Sequence, residues 1–132
     1  MHIMTFLELT SMQIGDYTIH SVQTGLFKLD GGAMFGVVPK NLWQKTNPSD
    51  DQNRIEMCTR ALLLLSARKK ILVDTGIGYK LSEKLNSIYA VDFSTYTLES
   101  GLKSFGLSRS DITDVILTHL HFDHAGGSTE YD

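Results

Sequence analysis

The chain has 132 residues, of which 42% are hydrophobic and 20% charged, and its net charge is −3. That length suits one small domain able to bury a core without staples, and that composition excludes a disordered chain. The mild negative charge gives no footprint for nucleic acid or an anionic membrane. No apolar run comes near the roughly 20 residues that a membrane-spanning helix needs.

The first residues carry no basic segment followed by an apolar run, so no secretory leader is expected. Residues 12–14 and 17–27 read as strands around Gly15-Asp16, a dipeptide suited to a tight hairpin turn. Gly31-Gly32 breaks the pattern, and residues 33–38 resume it as a short apolar strand closed by Pro39. Residues 40–54 are polar around Asn47-Pro48-Ser49 and read as a loop. Residues 55–65 and 70–73 form a strand pair about Arg68-Lys69-Lys70, a basic triplet better explained as a solvated turn than as a binding patch. Residues 61–65 are apolar on both faces, as in a strand covered on both sides, and a helix is the rival that periodicity does not separate.

The lone cysteine, Cys58, reads as a small buried hydrophobe, in keeping with a reducing, cytoplasmic setting. Residues 74–78 end the second strand of the pair. Residues 82–88 suit a short helix. Residues 97–105 suit a better defined one, with Thr97 as cap, Leu98, Leu102 and Phe105 on one face, and Gly106 as the stop. Residues 114–118 read as a short buried strand. Strands, then helices, then a strand predict an α/β arrangement, a sheet covered by helices on at least one face.

That last strand feeds His119-Leu120-His121-Phe122-Asp123-His124, which holds three of the five histidines. If the strand persists through Thr118, His119 and His121 point to one side with Cβ atoms roughly 6–7 Å apart. Two such imidazoles can converge on one metal, while Leu120 and Phe122 alternate with them and pack inward. If the chain turns next, Asp123 and His124 can face a second point nearby. Imidazole and carboxylate together suit zinc, with manganese or iron as alternatives. The bland reading, a His-rich surface turn, fits less well between an apolar strand and Ala125-Gly126-Gly127. His2 and His20 carry no motif and read as surface or edge-strand residues.

Thr118 to Gly127 resembles the H-x-H-x-D-H signature of the metallo-β-lactamase superfamily. Ile71-Leu72-Val73-Asp74-Thr75-Gly76 is similar to that superfamily's earlier strand ending in an aspartate. Gly31 to Lys40, with Trp43, resembles the branch holding N-acyl homoserine lactonases and methyl parathion hydrolase-like enzymes. The resemblance implies the N-terminal half of an αββα sandwich, mostly antiparallel strands followed by helices, with residues 1–132 as a single incomplete domain. It implies two divalent metal ions, with His119 and His121 on the first, Asp123 and His124 on the second, and Asp123 also handling the proton of the attacking water. Asp74 would brace the ligand loop, its plain alternative being a strand-end turn. Met34 and Phe35 would line the substrate mouth or pack in the core, and Trp43 would line the cleft or cap the sheet. The superfamily's flavodiiron branch places a glutamate where His121 stands, which disfavours a diiron reductase.

The family pattern also needs two further histidines and a bridging aspartate, and no histidine follows His124. Each metal would hold two protein ligands here, short of the three plus water of a catalytic zinc site. The expectation is therefore the N-terminal part of a longer hydrolase that is inactive alone, with half of a split enzyme and a non-catalytic metal-binding fragment as alternatives. The resemblance implies a metal-activated hydroxide attacking a lactone, ester or phosphoester of small size, lactones favoured. A glyoxalase II-like thiolesterase and a mononuclear-iron sulfur dioxygenase are the rival activities. The expected partners are a small-molecule substrate, the remaining C-terminal half and, as a further assembly, a second copy in a homodimer.

Overall fold

A computed structural model describes residues 11–131, and the expectations for the first ten residues, His2 included, lie outside it. The strands are β1 (Met12–Ile14), β2 (Tyr17–Asp30), β3 (Arg54–Leu65), β4 (Lys70–Val73) and β5 (Asp114–Ile116), in one mixed sheet in that order. Neighbours from β1 to β4 are antiparallel, whereas β5 runs parallel to β4. A parallel neighbour requires a long crossover, and that connection holds α3 (Glu83–Ile88) and α4 (Leu98–Lys103). This mixed α/β arrangement agrees with the expected fold class. Among the described residues no helix is long and apolar enough to cross a membrane.

One sheet face builds the core. Val22, Ala61, Leu63 and Leu72 pack against Leu98 and Leu102 of α4, with Leu65, Phe105, Leu107 and Ile112 around them. The helix starts where its sequence caps it: Thr97 accepts from the Ser100 amide, and the Ser100 hydroxyl accepts from the Thr97 amide. Such a reciprocal pair satisfies donors that a helix start otherwise leaves open. Gly101 lets α4 lie close on β2, because a Cβ there would meet the Val22 side chain.

Among the described residues no helix of the core packs on the other face. The register places Ser21, Leu62, Val73 and Ile116 in one row and Met12, Ile19, Leu64 and Ile71 in the next. Leu62 is 46% exposed and Ile116 50%. Residues 61–65 are thus a strand, as expected, but covered on one side only. The last strand is likewise corrected: it ends at Ile116, and Val115 and Ile116 are both half exposed.

Two further expectations fail near residue 30. Residues 33–38 do not form a strand, because Asp30 accepts from the Ala33 amide at 2.7 Å and starts α1 (Gly31–Phe35). That capping bond diverts the chain from extended structure. The 40–54 segment opens with a short helix, α2 (Lys40–Trp43), which Pro39 leads into. Asp50 then fastens the loop, accepting from the Arg54 and Gln52 amides and from the Arg54 side chain at 2.9–3.0 Å. The basic turn is structural, as expected: Ser66 closes it, and Lys69 pairs with Asp114 at 2.8 Å.

Leu102 is fully buried, so Leu102→Ala should cost about 2–5 kcal/mol in chemical denaturation. The hydrogen bond from the Arg54 amide, with further help from the Arg54 side chain and the Gln52 amide, holds the Asp50 carboxyl down to about 2 from 3.8. A folded-state pKa below the unfolded one gives stability that is present above about pH 4 and lost as pH falls toward 2. Asp50→Asn should therefore be less stable than the parent at pH 6, and the gap should narrow as pH falls from 4 toward 2 in parallel thermal melts.

Candidate metal centre

Two loops build the site, and both leave the same edge of the sheet. The first is Asp74-Thr75-Gly76-Ile77, which follows β4 and is buried throughout. Asp74 has φ +62, a left-handed conformation that costs a non-glycine residue energy and persists only where its surroundings enforce it. They do so here. The Asp74 amide donates to the Ile116 carbonyl at 2.8 Å, and its carboxylate accepts from the Thr118 amide, the Thr118 hydroxyl and His124 Nδ1 at 2.8–3.0 Å. Burial pushes the Asp74 carboxyl up, but the bonds from His124 and Thr118 outweigh it and leave the group below its ordinary value.

The second loop follows β5. The chain turns instead of continuing extended, so Leu120 and Phe122 do not alternate as expected: Leu120 is 82% exposed, while Phe122 opens the single-turn helix α5 (Phe122–Ala125). The Phe122 ring stacks on Tyr89 at 4.5 Å and meets Phe27 edge-on at 6.0 Å. This aromatic contact anchors the turn between its flanking histidines.

Backbone contacts lock the two loops together. The Thr75 amide donates to the His124 carbonyl at 2.7 Å, and the Gly127 amide donates to the Gly76 carbonyl at 3.1 Å. Gly76 and Ala125 form a parallel bridge. The approach is close enough that a Cβ on Gly126 would fall on the Ile77 carbonyl oxygen, and one on Gly127 on that of Thr75. Gly126-Gly127 is thus a packing requirement of the site.

The four candidate ligands lie together, in pairs. His119 Nε2 is 3.0 Å from His121 Nδ1, and His124 Nε2 is 3.4 Å from Asp123 Oδ2. The His119 and His124 rings are 4.0 Å apart, which joins the pairs. Two ligands of one tetrahedral zinc at about 2.0–2.1 Å would sit roughly 3.3 Å from each other. Both pairs are near that spacing, and imidazole with carboxylate is a suitable donor chemistry for such an ion. Among the described residues no three His, Cys, Asp or Glu side chains are arranged around one ion position. The donors fit the group two by two.

The remaining candidates lie in α1 and α2. Trp43 is 4% exposed, stacked on Phe35 at 5.0 Å and seated over Gly31, so it caps and packs. Met34 is exposed. His20 sits half-buried with its ring against Phe105 at 4.7 Å. Thr118, Thr75 and Tyr89 also support the cluster, without a role expected for them from the sequence. The first had a signal, a hydroxyl residue directly before the first histidine, but the partners of the other two are distant in the chain.

The family model described as "Metallo-beta-lactamase superfamily" matches residues 59–132. The N-acyl homoserine lactonase AiiB of Agrobacterium fabrum is 30% identical, over 76% of this chain and 41% of that protein. Among solved structures, a probable metal-dependent hydrolase from Staphylococcus aureus is 42% identical with a TM-score of 0.79, over 90% of this chain and 43% of that one. AidC, a dizinc quorum-quenching lactonase, is 26% identical with a TM-score of 0.65, over 91% of this chain and 38% of that one. The chain thus spans about two fifths of the length of these relatives.

Gly126→Ala should destabilise the protein by about 1–3 kcal/mol through overpacking against backbone that cannot move aside. Leu120→Ala, in the same loop but exposed, should stay within about 0.5 kcal/mol of the parent. Denaturant titration of both variants checks the contrast.

Proposed function

The chain belongs to the metallo-β-lactamase superfamily, and from that premise we propose that it carries the first half of the ligand set of a two-metal hydrolase acting on a small lactone, ester or phosphoester. The observation that carries this reading is the pairing of His119 with His121 and of Asp123 with His124 at 3.0 and 3.4 Å. His119 and His121 would hold one ion and Asp123 and His124 the other. Two divalent ions, zinc first and manganese or iron as alternatives, would supply Lewis acidity to a carbonyl or phosphoryl oxygen and a water acidified to a pKa of about 7.

The chain's own residues would do the positioning. Asp123 would orient the nucleophile and take its proton at the carboxylate. Asp74 braces His124 from behind, on the side away from Asp123. Met34, which is exposed, and Phe35 are the proposed substrate-facing residues, with Trp43 supporting them from beneath. Lactones lead among the substrates, on the strength of the lactonase relatives. Phosphodiesters rank lower, since a net charge of −3 offers a polyanion no general attraction.

Residues 1–132 are proposed as one part of a domain whose other part supplies the remaining ligands. The sheet face away from α4, with Leu62, Ile116, Met12 and Ile14 exposed, supports a covering layer there. The edge strand β5 supports the same reading, since an unpaired apolar edge is a liability unless another strand or layer covers it. Action in the cytoplasm is part of the proposal and rests on the single cysteine.

Metal analysis and turnover of a lactone and a phosphotriester, on this chain and on the longest reading frame that contains it, test the proposal. The longer product should hydrolyse the lactone and hold two metal ions, and this chain should be inactive. Metal uptake without turnover in both would overturn the hydrolase in favour of a binding module. Turnover by the isolated chain would overturn the shared site. In the longer product, His121→Ala should lose one metal equivalent and retain the fold.

A further inference from the structure

Thr118 stands between a buried carboxylate and the first histidine of the cluster. Its hydroxyl oxygen lies 3.0 and 2.9 Å from the two Asp74 oxygens and 3.0 Å from His119 Nδ1. An ionised carboxylate only accepts hydrogen bonds, so the Thr118 hydroxyl must spend its single proton on Asp74. Toward His119 that oxygen can then only accept. The proton of a neutral His119 is therefore on Nδ1, and Nε2 presents a lone pair to His121 Nδ1, 3.0 Å away, which donates to it in the metal-free chain. His124 is set in the same way without an intermediary: its Nδ1, 2.8 Å from Asp74 Oδ2, donates, and its Nε2 presents a lone pair on the Asp123 side.

We propose that Asp74 and Thr118 form a relay that fixes the tautomer and ring orientation of His119 and His124 together, with Thr118 the positioning residue for His119. One carboxylate thereby prepares one donor of each pair. The relay depends on the neutral rings alone. Its consequence for metal uptake rests on the two-metal reading above. A threonine suits the position on two counts. The hydroxyl donates and accepts at once, and the β-branched side chain holds few rotamers. The amide of Thr118 also donates to Asp74 at 2.9 Å, which fixes the backbone from which the hydroxyl is presented.

The relay makes unequal demands on its members, and this separates it from a merely structural role. Thr118→Val keeps shape and removes the hydroxyl, so it should release His119 and leave His124 held. Asp74→Asn places an amide where two donors converge, so it should release both. Thr118→Ser should restore the parent pattern.

The test is the imidazole nitrogen spectrum of the metal-free, chelator-treated chain at about pH 8, read by long-range proton–nitrogen correlation. The parent should show His119 and His124 both protonated on Nδ1. Thr118→Val should move His119 to the Nε2-protonated form and leave His124 protonated on Nδ1, with an amide spectrum otherwise like the parent's. An Nε2-protonated His119 in the parent overturns the relay without recourse to any variant. Retention of Nδ1 protonation in Thr118→Val overturns it as well. In the longer product, cobalt(II) titration of Thr118→Val should show one of two sites weakened by about 10- to 100-fold, as expected for loss of a group that orients a ligand. Failure of cobalt uptake in the parent would count against the two-metal reading, and the tautomer spectrum would still decide the relay.

Discussion

The carboxylate of Asp74 is the tie on which the site depends. It sits at the end of β4, and every group it accepts from belongs to the segment that follows β5. The backbone contacts of residues 75–77 with residues 124–127 join the same two loops, and the carboxylate adds the tie to the residues between β5 and that contact. With it, the left-handed turn at residue 74, the turn after β5 and the histidine cluster become one structure. A buried carboxylate is costly when unpaired, so the same group that organises the site also makes its disassembly expensive.

A second constraint, steric rather than electrostatic, keeps the tie short. The backbone of residues 75–77 lies against that of residues 124–127, and glycines at 126 and 127 allow the approach. Phe122, between Tyr89 and Phe27, holds the far side of the turn. The proposed ligands thus project from a segment fixed on three sides, by a carboxylate, a backbone ladder and an aromatic stack. Such support from rigid neighbours is what holds a ligand set to a useful geometry.

The sheet explains why the cluster lies at an edge. Its helix-covered face is closed by α4, while the opposite face and the β5 edge present apolar side chains to solvent. The chain spans about two fifths of its relatives' length. An exposed layer of that kind is what the proposed two-part domain would cover.

The β1–β2 hairpin, the β3–β4 pair and the capped helix α4 were legible in the sequence because alternation, Gly-Asp and a capping threonine act over a few residues. The His-x-His-x-Asp-His spacing was legible for the same reason, as was the resemblance it carries. The strand expected at 33–38 was lost to the Asp30 cap, a local bond that outweighed an apolar pattern. The two-sided covering expected for residues 61–65 fails because composition does not record which face meets a helix. What only tertiary structure decided are contacts between residues 44–50 positions apart: Asp74 with Thr118 and His124, and Thr75 with His124. No periodicity encodes such contacts, since they arise when two strand ends are placed side by side. The sequence by itself determined which donors the site would have, and the pairing of β4 with β5 decided how they would be held.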